Sequence, residues 1–471
     1  MCLKKKNSVE IKLEDKYKLS KGTRFLTGAQ ALVRVPIVQA RRDKQKNLNT
    51  ACYISGYRGS PLGGYDQQIL KNKKYLNENN IYFQPGINEE LAATSLWGTQ
   101  QVNLRKQDKY DGVFGIWYGK GPGVDRAGDA LKHVNLAGTS KFGGVIALMG
   151  DDHICESSTT SHQSEFAMID AMIPFFNPSG VQEILDYGII GIELSRKSGC
   201  WVGIKCVHDN VSSGATVDLD ENRLNLLDIS SENYPSEGLN IRLKDTAQEK
   251  EYRLHHHKIK YVKEFCKINN LNKIIFDSEN PKVGIISTGK SFLDTKLGLE
   301  KIGINEDVAN QIGIKFLKIA MPWPLEETII ENFAENLEKI IVVEEKRSII
   351  ETQVKEILFN KNLNIKVVGK YDENNNDLFV SSGALDPGEI GLKISEIINY
   401  LNLPDEVHNL SKKLKSLKEK TNSNISLKRV PHFCSGCPHN TSTRIPEGSR
   451  AITGISCAYL VEHMERNNEG F

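Results

Sequence analysis

Three cysteines near residue 450 have a spacing that could bind a metal. The stretch "FCSGCPHNTSTRIPEGSRAITGISC" contains the pair Cys434-x-x-Cys437, and Cys457 follows it. A redox site of the thioredoxin type needs only the pair. A structural zinc site needs four ligands, and His439 or His463 could complete it. A cubane iron–sulfur cluster needs four thiolates, of which one can lie far away in the sequence. The spacing alone leaves these three kinds of site open.

A second motif, "GIISTGKS" at residues 284–291, fits the phosphate-loop pattern G-x-x-x-x-G-K-S. In that loop backbone N–H groups surround phosphates, and a strand must precede the first glycine. Here only Val283 is apolar before the glycine, while Ile285 and Ile286 lie inside the motif. We therefore predict a strand at Val283–Ser287 followed by a turn and a helix. A nucleotide-binding loop with a zinc-binding tail stays as the alternative.

Short apolar runs that alternate with helix-like stretches position these motifs. Examples are "ACYISG", "GVFGIWYGK" and "VIALMG" in the first half, and "GIKFLKI" and "KIIVVEE" in the second half. Such spacing favours parallel sheets that are covered by helices on both faces. The sequence thus predicts an α/β protein with more than one doubly wound domain.

Changes in composition predict the domain boundaries. Residues 1–20 are a polar lead-in, and 21–250 and 281–402 are the two α/β domains. Residues 403–429 are a lysine-rich helix and linker, and residues 430–471 begin a third domain. "GVFGIWYGKGPGVDRAGDALKHVNLAG" is predicted to be a strand, a loop and a helix.

The charge balance excludes several classes of partner. The 471 residues include 61 basic and 59 acidic ones, a formal net charge of +2. This gives no electrostatic reason to expect nucleic acid or an anionic membrane as a partner. No apolar run is long enough to span a bilayer, and the basic start "MCLKKKNSVEIK" lacks the apolar stretch of a signal peptide. We therefore expect a cytoplasmic protein with reduced thiols.

Taken together, the motifs resemble one enzyme family over essentially residues 20–471. The thiol segment resembles the start of the thiamine-diphosphate domain of indolepyruvate ferredoxin oxidoreductases, in particular their long single-chain bacterial form. The other matching segments follow in the order that the family has: "YISGYRGSPLGGYD", "GINEELAATSLWGTQQ", "GIWYGKGPGVDRAGDALKHVNLAGTS", "VIALMGDDHICESSTTSHQSE", "GIISTGKSFLD", "AMPWPLE" and "VVEEKRSIIE".

The resemblance implies a fold and a reaction. The fold is a pyrimidine-type thiamine-diphosphate-binding domain, a transketolase-C-terminal-like domain and a truncated third domain. The reaction is oxidative decarboxylation of a 2-oxo acid, of the indolepyruvate type by family name, with coenzyme A. The products are an acyl-CoA and carbon dioxide, and the electrons pass through a 4Fe-4S cluster to ferredoxin. The rival hypothesis is a non-catalytic assembly subunit.

The resemblance also implies that this sequence is an N-terminal part of a longer polypeptide. In the relatives the fourth cluster cysteine and the ligands of Mg2+ and the diphosphate come later, here beyond residue 471. We expect the full-length chain to form a homodimer, and we expect this part to be inactive alone.

Site residues are carried over position by position. Glu89 of "GINEELAAT" corresponds to the glutamate that faces the aminopyrimidine ring, and Asn88 precedes it as a helix cap and cofactor neighbour. In "GYRGSP", Gly59 corresponds to a cofactor contact and Ser60 to the hydroxyl that binds the substrate carboxylate. Arg58 replaces the proline of the relatives and could bind that carboxylate too.

The remaining candidates lie further along the chain. Lys132 and His133 of "DALKHVNLAG" correspond to a helical segment that flanks the site, as candidates for substrate or coenzyme contact. Cys434, Cys437 and Cys457 correspond to three of the four cluster ligands.

Overall fold

The computed structural model describes residues 11–105, 108–158, 160–361, 363–423, 430–454, 456–464, 466 and 468–469. The first half contains eight strands and ten α-helices among these residues: α1 (Asp15–Lys18), β1 (Thr23–Thr27), α2 (Gly28–Gln45), β2 (Thr50–Gly56), α3 (Tyr65–Lys71), α4 (Lys73–Asn77), β3 (Ile81–Phe83), α5 (Glu89–Thr99), β4 (Gly112–Lys120), α6 (Gly121–Arg126), α7 (Gly128–Ala137), β5 (Val145–Gly150), α8 (Glu165–Asp170), β6 (Phe175–Phe176), α9 (Val181–Ser198), β7 (Val202–Cys206), α10 (His208–Val211) and β8 (Gly214–Asp218).

Six parallel strands form the first sheet, in the order β3-β2-β4-β5-β7-β6. Nearly every residue of β2, β4, β5 and β7 is buried, because helices cover both faces of the sheet. On one face α2 and α9 pack on Ile116 and Leu148. On the other face α5, α6 and α7 pack on Trp117 and Met149. β1 and β8 form a separate antiparallel pair.

The order in which consecutive strands are added to the sheet changes direction between β2 and β4. The connection after β2 leads outward to β3, whereas the connection after β4 leads to β5 on the opposite side. At such a reversal the two loops separate at the carboxyl ends of the strands, and open α/β sheets bind ligands in the crevice between them. Here that crevice lies after Gly56 and Lys120.

The second half forms another α/β layer structure, with these elements: α11 (Ala247–Arg253), a π-helical turn (Leu254–Lys258), α12 (Ile259–Ile268), β9 (Lys273–Phe276), β10 (Val283–Thr288), α13 (Gly289–Lys301), α14 (Glu306–Ile312), β11 (Ile314–Ile319), α15 (Glu327–Ala334), β12 (Lys339–Val343), α16 (Ile350–Phe359), β13 (Lys366–Val368), α17 (Pro387–Ile397) and α18 (Asp405–Ser423). The sheet has the order β13-β12-β10-β11-β9, with β9 antiparallel to β11. The fold class predicted from the sequence, α/β with two sheets of mainly parallel strands, is confirmed.

Two features of the structure lie near the predicted boundaries. The second sheet begins with β9, earlier than residue 281, because Lys273–Phe276 pairs along the edge of β11. Within the predicted linker 403–429, α18 packs on α13 and α17 and buries Val407. Residues 424–429 lie outside the described part of the chain. The other domain limits stay predictions.

The two halves join through backbone and side-chain contacts. The backbone N–H of Phe175 donates to the carbonyl of Trp323 at 3.0 Å, and that of Asn177 donates to the carbonyl of Ala320 at 3.0 Å. The buried Lys318 donates to Ser179 Oγ at 2.8 Å and contacts Glu183. The edge of the first sheet is therefore extended by a segment of the second half.

Beyond α18 the described residues form short elements: α19 (His439–Ser442), β14 (Ala451–Ile452), a 3-10 segment (Ser456–His463) and β15 (Asn468–Glu469). Among the described helices none is both long and apolar enough to cross a bilayer.

Candidate active site

Glu89 lies at the crevice between β2 and β4, as the first residue of α5. The residue is 8% exposed. A β-carbon built on Gly123 would lie 2.3 Å from Glu89 Oε1, and one built on Gly119 would lie 3.1 Å from Glu89 Cγ. The two glycines leave the space that the carboxylate occupies. Among the described residues none donates a hydrogen bond to the carboxylate, whose oxygens keep some contact with solvent.

Local contacts fix the backbone of Glu89. The side chain of Asn88 accepts a hydrogen bond from the Leu91 amide at 2.8 Å and so caps α5, as predicted. The indole N–H of Trp117 donates to the carbonyl of Glu89 at 2.9 Å. Trp117 is fully buried in β4, so the core of the sheet determines where α5 begins.

The loop after β2 reaches the same crevice. Gly59 lies against Lys120, since a β-carbon at residue 59 would be 2.5 Å from Lys120 Cδ. Ser60 is exposed and precedes Pro61 through a cis peptide bond. Gly59 therefore lies against Lys120, which follows Gly119 in the chain. This places the loop near the end of β4 that contacts Glu89.

Arg58 lies near buried polar groups as well as solvent. Burial raises the pKa of Asp66, and the charge of Arg58 counteracts part of that rise. Burial also raises the pKa of Tyr118, again with an opposing contribution from Arg58. The guanidinium therefore lies close enough to both groups to interact with them electrostatically.

Lys132 and His133 lie elsewhere on the surface of α7. Lys132 Nζ forms an ion pair with Asp170 at 2.6 Å. The ring of His133 lies 6.4 Å from that of Trp97, which is about 12 Å further along α5 than Glu89. The structure does not bring these two residues to the Glu89 carboxylate, and their predicted roles remain untested.

The helix α6 was not predicted from the sequence. "GPGVDR" was predicted to be a loop because of its glycines, but it forms α6 directly after β4, with Pro122 in its first turn. Gly123, one of the two glycines that contact Glu89, belongs to this helix. His162 also packs there, with its ring against Gly121 and its Nε2 3.4 Å from Asp125.

A separate group of buried charges lies at the carboxyl ends of β5 and β7. Lys205 pairs with Glu165 and is 4.0 Å from Asp151, which accepts from the Ser164 amide at 2.9 Å. Burial and the charge of Glu165 raise the pKa of Asp151 to about 7. Burial lowers the pKa of Lys205, but the charges of Glu165 and Asp151 outweigh it, so the net shift is upward.

This group borders a small cavity between the two halves. Its enclosed volume is about 20 Å³, enough for an ordered water and too small for a substrate. His153 Nε2 and Glu165 Oε2 border it without a hydrogen-bond partner among the described atoms. We interpret the cavity as a water site at the junction.

The segment that fits the phosphate-loop pattern forms a strand followed by a helix, as predicted. Gly284 lies inside β10 and pairs with both neighbouring strands. Lys290 in α13 donates to Asp294 at 2.5 Å and to Glu345 at 2.9 Å. The residues between the two glycines therefore form no loop that could surround a phosphate.

Two of the three predicted thiols lie on one turn. The Cys437 amide donates to the Cys434 carbonyl at 3.0 Å, and Gly436 between them has a φ of 75°, which glycine adopts readily. Thiolates are soft donors that suit iron or zinc, so this pair fits one edge of a metal site. Cys457 lies in the 3-10 segment. Within the described residues no three His, Cys, Asp or Glu side chains gather to hold a metal.

Comparisons with known proteins show similarity over most of the chain. Residues 273–424 match a family profile described as the indolepyruvate oxidoreductase domain. The indolepyruvate oxidoreductase subunit IorA of Methanothermobacter marburgensis is 23% identical over 435 residues, which cover 91% of this chain and 61% of that protein. The subunit of the same name from Pyrococcus abyssi is 24% identical over 427 residues, which cover 89% of this chain and 58% of that protein. The chain thus spans about 60% of the length of these relatives.

A solved structure shares the fold. The 2-oxoglutarate:ferredoxin oxidoreductase of Magnetococcus marinus, determined with 2-oxoglutarate, coenzyme A and succinyl-CoA bound, superimposes with a TM-score of 0.55 at 13% identity. The superposition covers 80% of this chain and 66% of that chain. The family profile and the matches along nearly the whole chain show that the protein is similar in sequence to indolepyruvate oxidoreductases.

Proposed function

We propose that this chain is the part of a 2-oxoacid:ferredoxin oxidoreductase that binds the pyrimidine side of thiamine diphosphate. The complete enzyme would oxidatively decarboxylate a 2-oxo acid such as indolepyruvate with coenzyme A, yielding an acyl-CoA and carbon dioxide. The relatives support this proposal by name, and the solved neighbour supports it by fold. Because the chain spans about 60% of its relatives, the activity is proposed for the full-length protein.

The observation that carries the proposal is the carboxylate of Glu89. It lies at the crevice between β2 and β4, where the strand order changes direction. The residue is 8% exposed, and among the described residues none donates a hydrogen bond to the carboxylate. A carboxylate without a protein donor can accept a hydrogen bond from a ligand. The missing side chains at Gly119 and Gly123 leave the space that the carboxylate itself occupies. These features fit a flat heterocyclic ring with a nitrogen that shares a proton with Glu89.

The chemistry divides between cofactor and protein. Thiamine diphosphate, when bound, supplies the electron sink that decarboxylation of a 2-oxo acid requires. The role of Glu89 is to hold a proton between its Oε1 and a ring nitrogen of the cofactor. The role of α6 is to support that carboxylate with its glycine face.

The substrate would bind at the loop after β2. Ser60 has an exposed hydroxyl that can donate to a carboxylate, and Gly59 allows the loop to approach β4 closely. Arg58 is exposed and carries a charge that can pair with the same carboxylate. Lys132 and His133 remain candidates for coenzyme contact on the outer face of α7. The order of importance that we propose is Ser60, then Arg58.

Electron transfer would use the cysteine turn. We propose that Cys434, Cys437 and Cys457 would hold a 4Fe-4S cluster, which would supply single-electron transfer to ferredoxin. A fourth ligand, the Mg2+ site and the diphosphate contacts would come from outside this sequence. We propose a cytoplasmic location, where the eight described cysteines would stay reduced thiols. We further propose that the full-length protein is a homodimer.

The test is a matched pair of substitutions in the full-length protein. Glu89→Gln removes the acidic proton carrier but keeps the shape, whereas Glu90→Gln changes the exposed neighbour on the same helix. We expect Glu89→Gln to lower the rate of indolepyruvate-dependent methyl viologen reduction by at least 100-fold, and Glu90→Gln to leave it within twofold. Equal rates for both variants would mean that the chain serves assembly rather than catalysis.

A further inference from the structure

An open pocket lies beside α11 and the π-helical turn that follows it. Its volume is about 420 Å³, within the range of about 300–1,000 Å³ for small-molecule sites. The side chains at its border that can recognise a ligand are Arg242, Glu249, Tyr252, Arg253 and His257. None of them belongs to the crevice at Glu89, and the function proposed above gives the pocket no role.

Arg253 borders this pocket as a nearly buried cation. The residue is 2% exposed, and its Nη2 forms an ion pair with Asp245 at 2.5 Å. Its Nε and Nη1 have no hydrogen-bond acceptor among the described atoms. Buried polar groups are nearly always hydrogen-bonded, and a buried donor without an acceptor costs free energy. These two groups therefore indicate that an acceptor from outside the chain completes the site.

Arg242 shares the carboxylate that Arg253 uses. Its Nε donates to Asp245 Oδ1 at 3.0 Å and to Oδ2 at 3.1 Å. The charge of the fully buried Lys258 also interacts with both arginines. Three cations around one carboxylate leave an excess of positive charge, which attracts an anion.

The acidic residue at the pocket is engaged elsewhere. Glu249 Oε2 accepts from the Thr246 backbone N–H at 2.7 Å and from the Thr246 hydroxyl at 2.9 Å, at the start of α11. Among the described residues, Asp245 is the only carboxylate that pairs with Arg242 or Arg253. Both guanidinium groups therefore keep donors for a further acceptor.

An aromatic ring borders the same pocket. Tyr252 is 58% exposed, and its ring stacks on that of His256 with 4.1 Å between centroids and 16° between planes. An aromatic ring of this kind offers a surface on which a nucleobase can stack. Guanidinium groups bind phosphate oxygens through paired N–H donors. The ring and the arginines thus suit the two ends of a nucleotide.

The backbone beside the pocket departs from a regular α-helix. Leu254–Lys258 forms a π-helical turn, a rare conformation that is frequent at functional sites. The turn follows directly after Arg253 and contains His257, and both residues border the pocket. The irregular backbone therefore lies where the ligand-binding side chains are.

We propose that this pocket binds a phosphate monoester, which Arg242 and Arg253 contact through their guanidinium groups. The shared chemistry is the phosphate, which can come from inorganic phosphate or from a mononucleotide. In the bound state Arg253 gains the acceptors that it lacks, and Tyr252 lies beside the group that carries the phosphate. The site is separate from the crevice at Glu89, so it would stand even if the proposed function failed.

Calorimetric titration of the full-length protein tests the proposal with three probes: inorganic phosphate, adenosine 5′-monophosphate and adenosine. We expect both phosphate-bearing probes to bind, and adenosine to bind at least about tenfold more weakly than its monophosphate. Tighter binding of the monophosphate than of inorganic phosphate would assign the site to a nucleotide, whereas equal affinities would assign it to free phosphate. If neither phosphate-bearing probe binds, the proposal is wrong.

Two substitutions and a control connect this binding to the pocket. Arg242→Gln removes one charge, and Arg253→Lys keeps the buried charge but loses the paired donors. Lys250→Met removes a positive charge from α11 without altering the border of the pocket. We expect both arginine variants to bind the monophosphate at least about tenfold more weakly, and Lys250→Met to bind it within about twofold of wild type. Wild-type affinity in both arginine variants, with melting temperatures that show them folded, would overturn the proposal.

Hydrogen–deuterium exchange shows where the probe binds. Adenosine 5′-monophosphate should slow exchange in Ala247–Arg253 and Leu254–Lys258 of the wild type and of Lys250→Met, but not of Arg242→Gln. Slower exchange only in Glu89–Thr99 would place the probe in the crevice and contradict the proposal.

Discussion

The carboxylate of Glu89 lies so close to the α-carbon of Gly123 that a β-carbon there would be 2.3 Å from Oε1. The two residues belong to different helices, α5 and α6, which begin on either side of β4 in the sequence. Their contact defines the position of the acidic group more narrowly than α5 alone does. It also makes residue 123 a sensitive point for testing the site.

Gly123→Ala is expected to displace the Glu89 carboxylate. Because alanine favours a helix more than glycine does, the fold should tolerate the change, with a melting temperature within a few degrees of wild type. We expect kcat/KM of the full-length enzyme to fall at least tenfold and thiamine diphosphate to bind more weakly. Steady-state kinetics and calorimetric titration with thiamine diphosphate measure both effects.

Gly128→Ala is the matched control for this prediction. Gly128 begins the next helix, α7, and a β-carbon built there meets no atom within 4 Å. This variant should keep both activity and cofactor affinity. If Gly123→Ala has the same activity and cofactor affinity as Gly128→Ala, neither property depends on the position of the Glu89 carboxylate.

The sequence predicted the strands well and their surroundings less well. Buried parallel strands are continuous apolar runs, so "VIALMG" and "VGIISTG" were recognisable without any contact information. β9 was missed because its residues Lys273–Phe276 are few, begin with a lysine and lie at an edge. An edge strand depends on its neighbour, which the linear sequence does not reveal.

The candidate site was predictable only in part. The pair Asn88 and Glu89 reads as a helix start from local chemistry, and the structure has that helix start. The contact of Glu89 with Gly119 and Gly123 joins residues far apart in sequence, so no local pattern could indicate it. The same holds for Cys457, whose distance from the cysteine turn depends on packing.

The junction between the two halves predicts a second effect. Lys318→Met removes the cation that contacts Glu183 and Ser179 across the junction. Because Glu183 keeps some exposure, we expect a loss of about 1–3 kcal/mol in the free energy of unfolding, below the range for a fully buried pair. Urea denaturation followed by tryptophan fluorescence measures it.

Lys315→Met on the same strand serves as the control. Lys315 Nζ is 3.7 Å from the exposed Asp277, so its removal should cost less than about 1 kcal/mol. Faster proteolysis between the halves in Lys318→Met, but not in Lys315→Met, is the expected companion result. Equal stability of the two variants would show that Lys318 does not stabilise the junction between the two halves.

A buried ion pair inside the first half predicts a larger effect. Arg196 donates to both carboxylate oxygens of Asp43, at 2.6 and 2.7 Å, and both side chains are almost fully buried. Arg196→Met leaves Asp43 charged without its cation, which costs about 3–5 kcal/mol. Lys18→Met, which breaks the exposed pair with Glu14, should leave the stability nearly unchanged because solvent screens this pair. Urea midpoints of the two variants provide the comparison.

Lys258 predicts how stability depends on pH. The residue is fully buried, and its Nζ donates to the Gly199 carbonyl at 3.0 Å. Burial lowers the pKa of Lys258 from 10.5 to about 8, with the nearby charges of Arg253, Asp245 and Arg242 and the buried Cys200 acting on it too. Between these two values the unfolded chain binds more protons at this site than the folded chain does.

The free energy of unfolding should therefore rise with pH from about 8 to 10.5, by up to about 3 kcal/mol from this residue. Below pH 8 the Lys258 ammonium is charged in the folded protein, and its burial lowers the free energy of unfolding by this full amount. The destabilisation disappears as the folded protein loses the proton. Other titrating groups contribute over the same range, so the comparison needs two variants. Lys258→Met should lack this rise, whereas Lys260→Met, which alters an exposed neighbour, should keep it. Urea midpoints at pH 7.5 and 9.5 measure the difference, and parallel curves for wild type and Lys258→Met would show that Lys258 keeps its proton throughout.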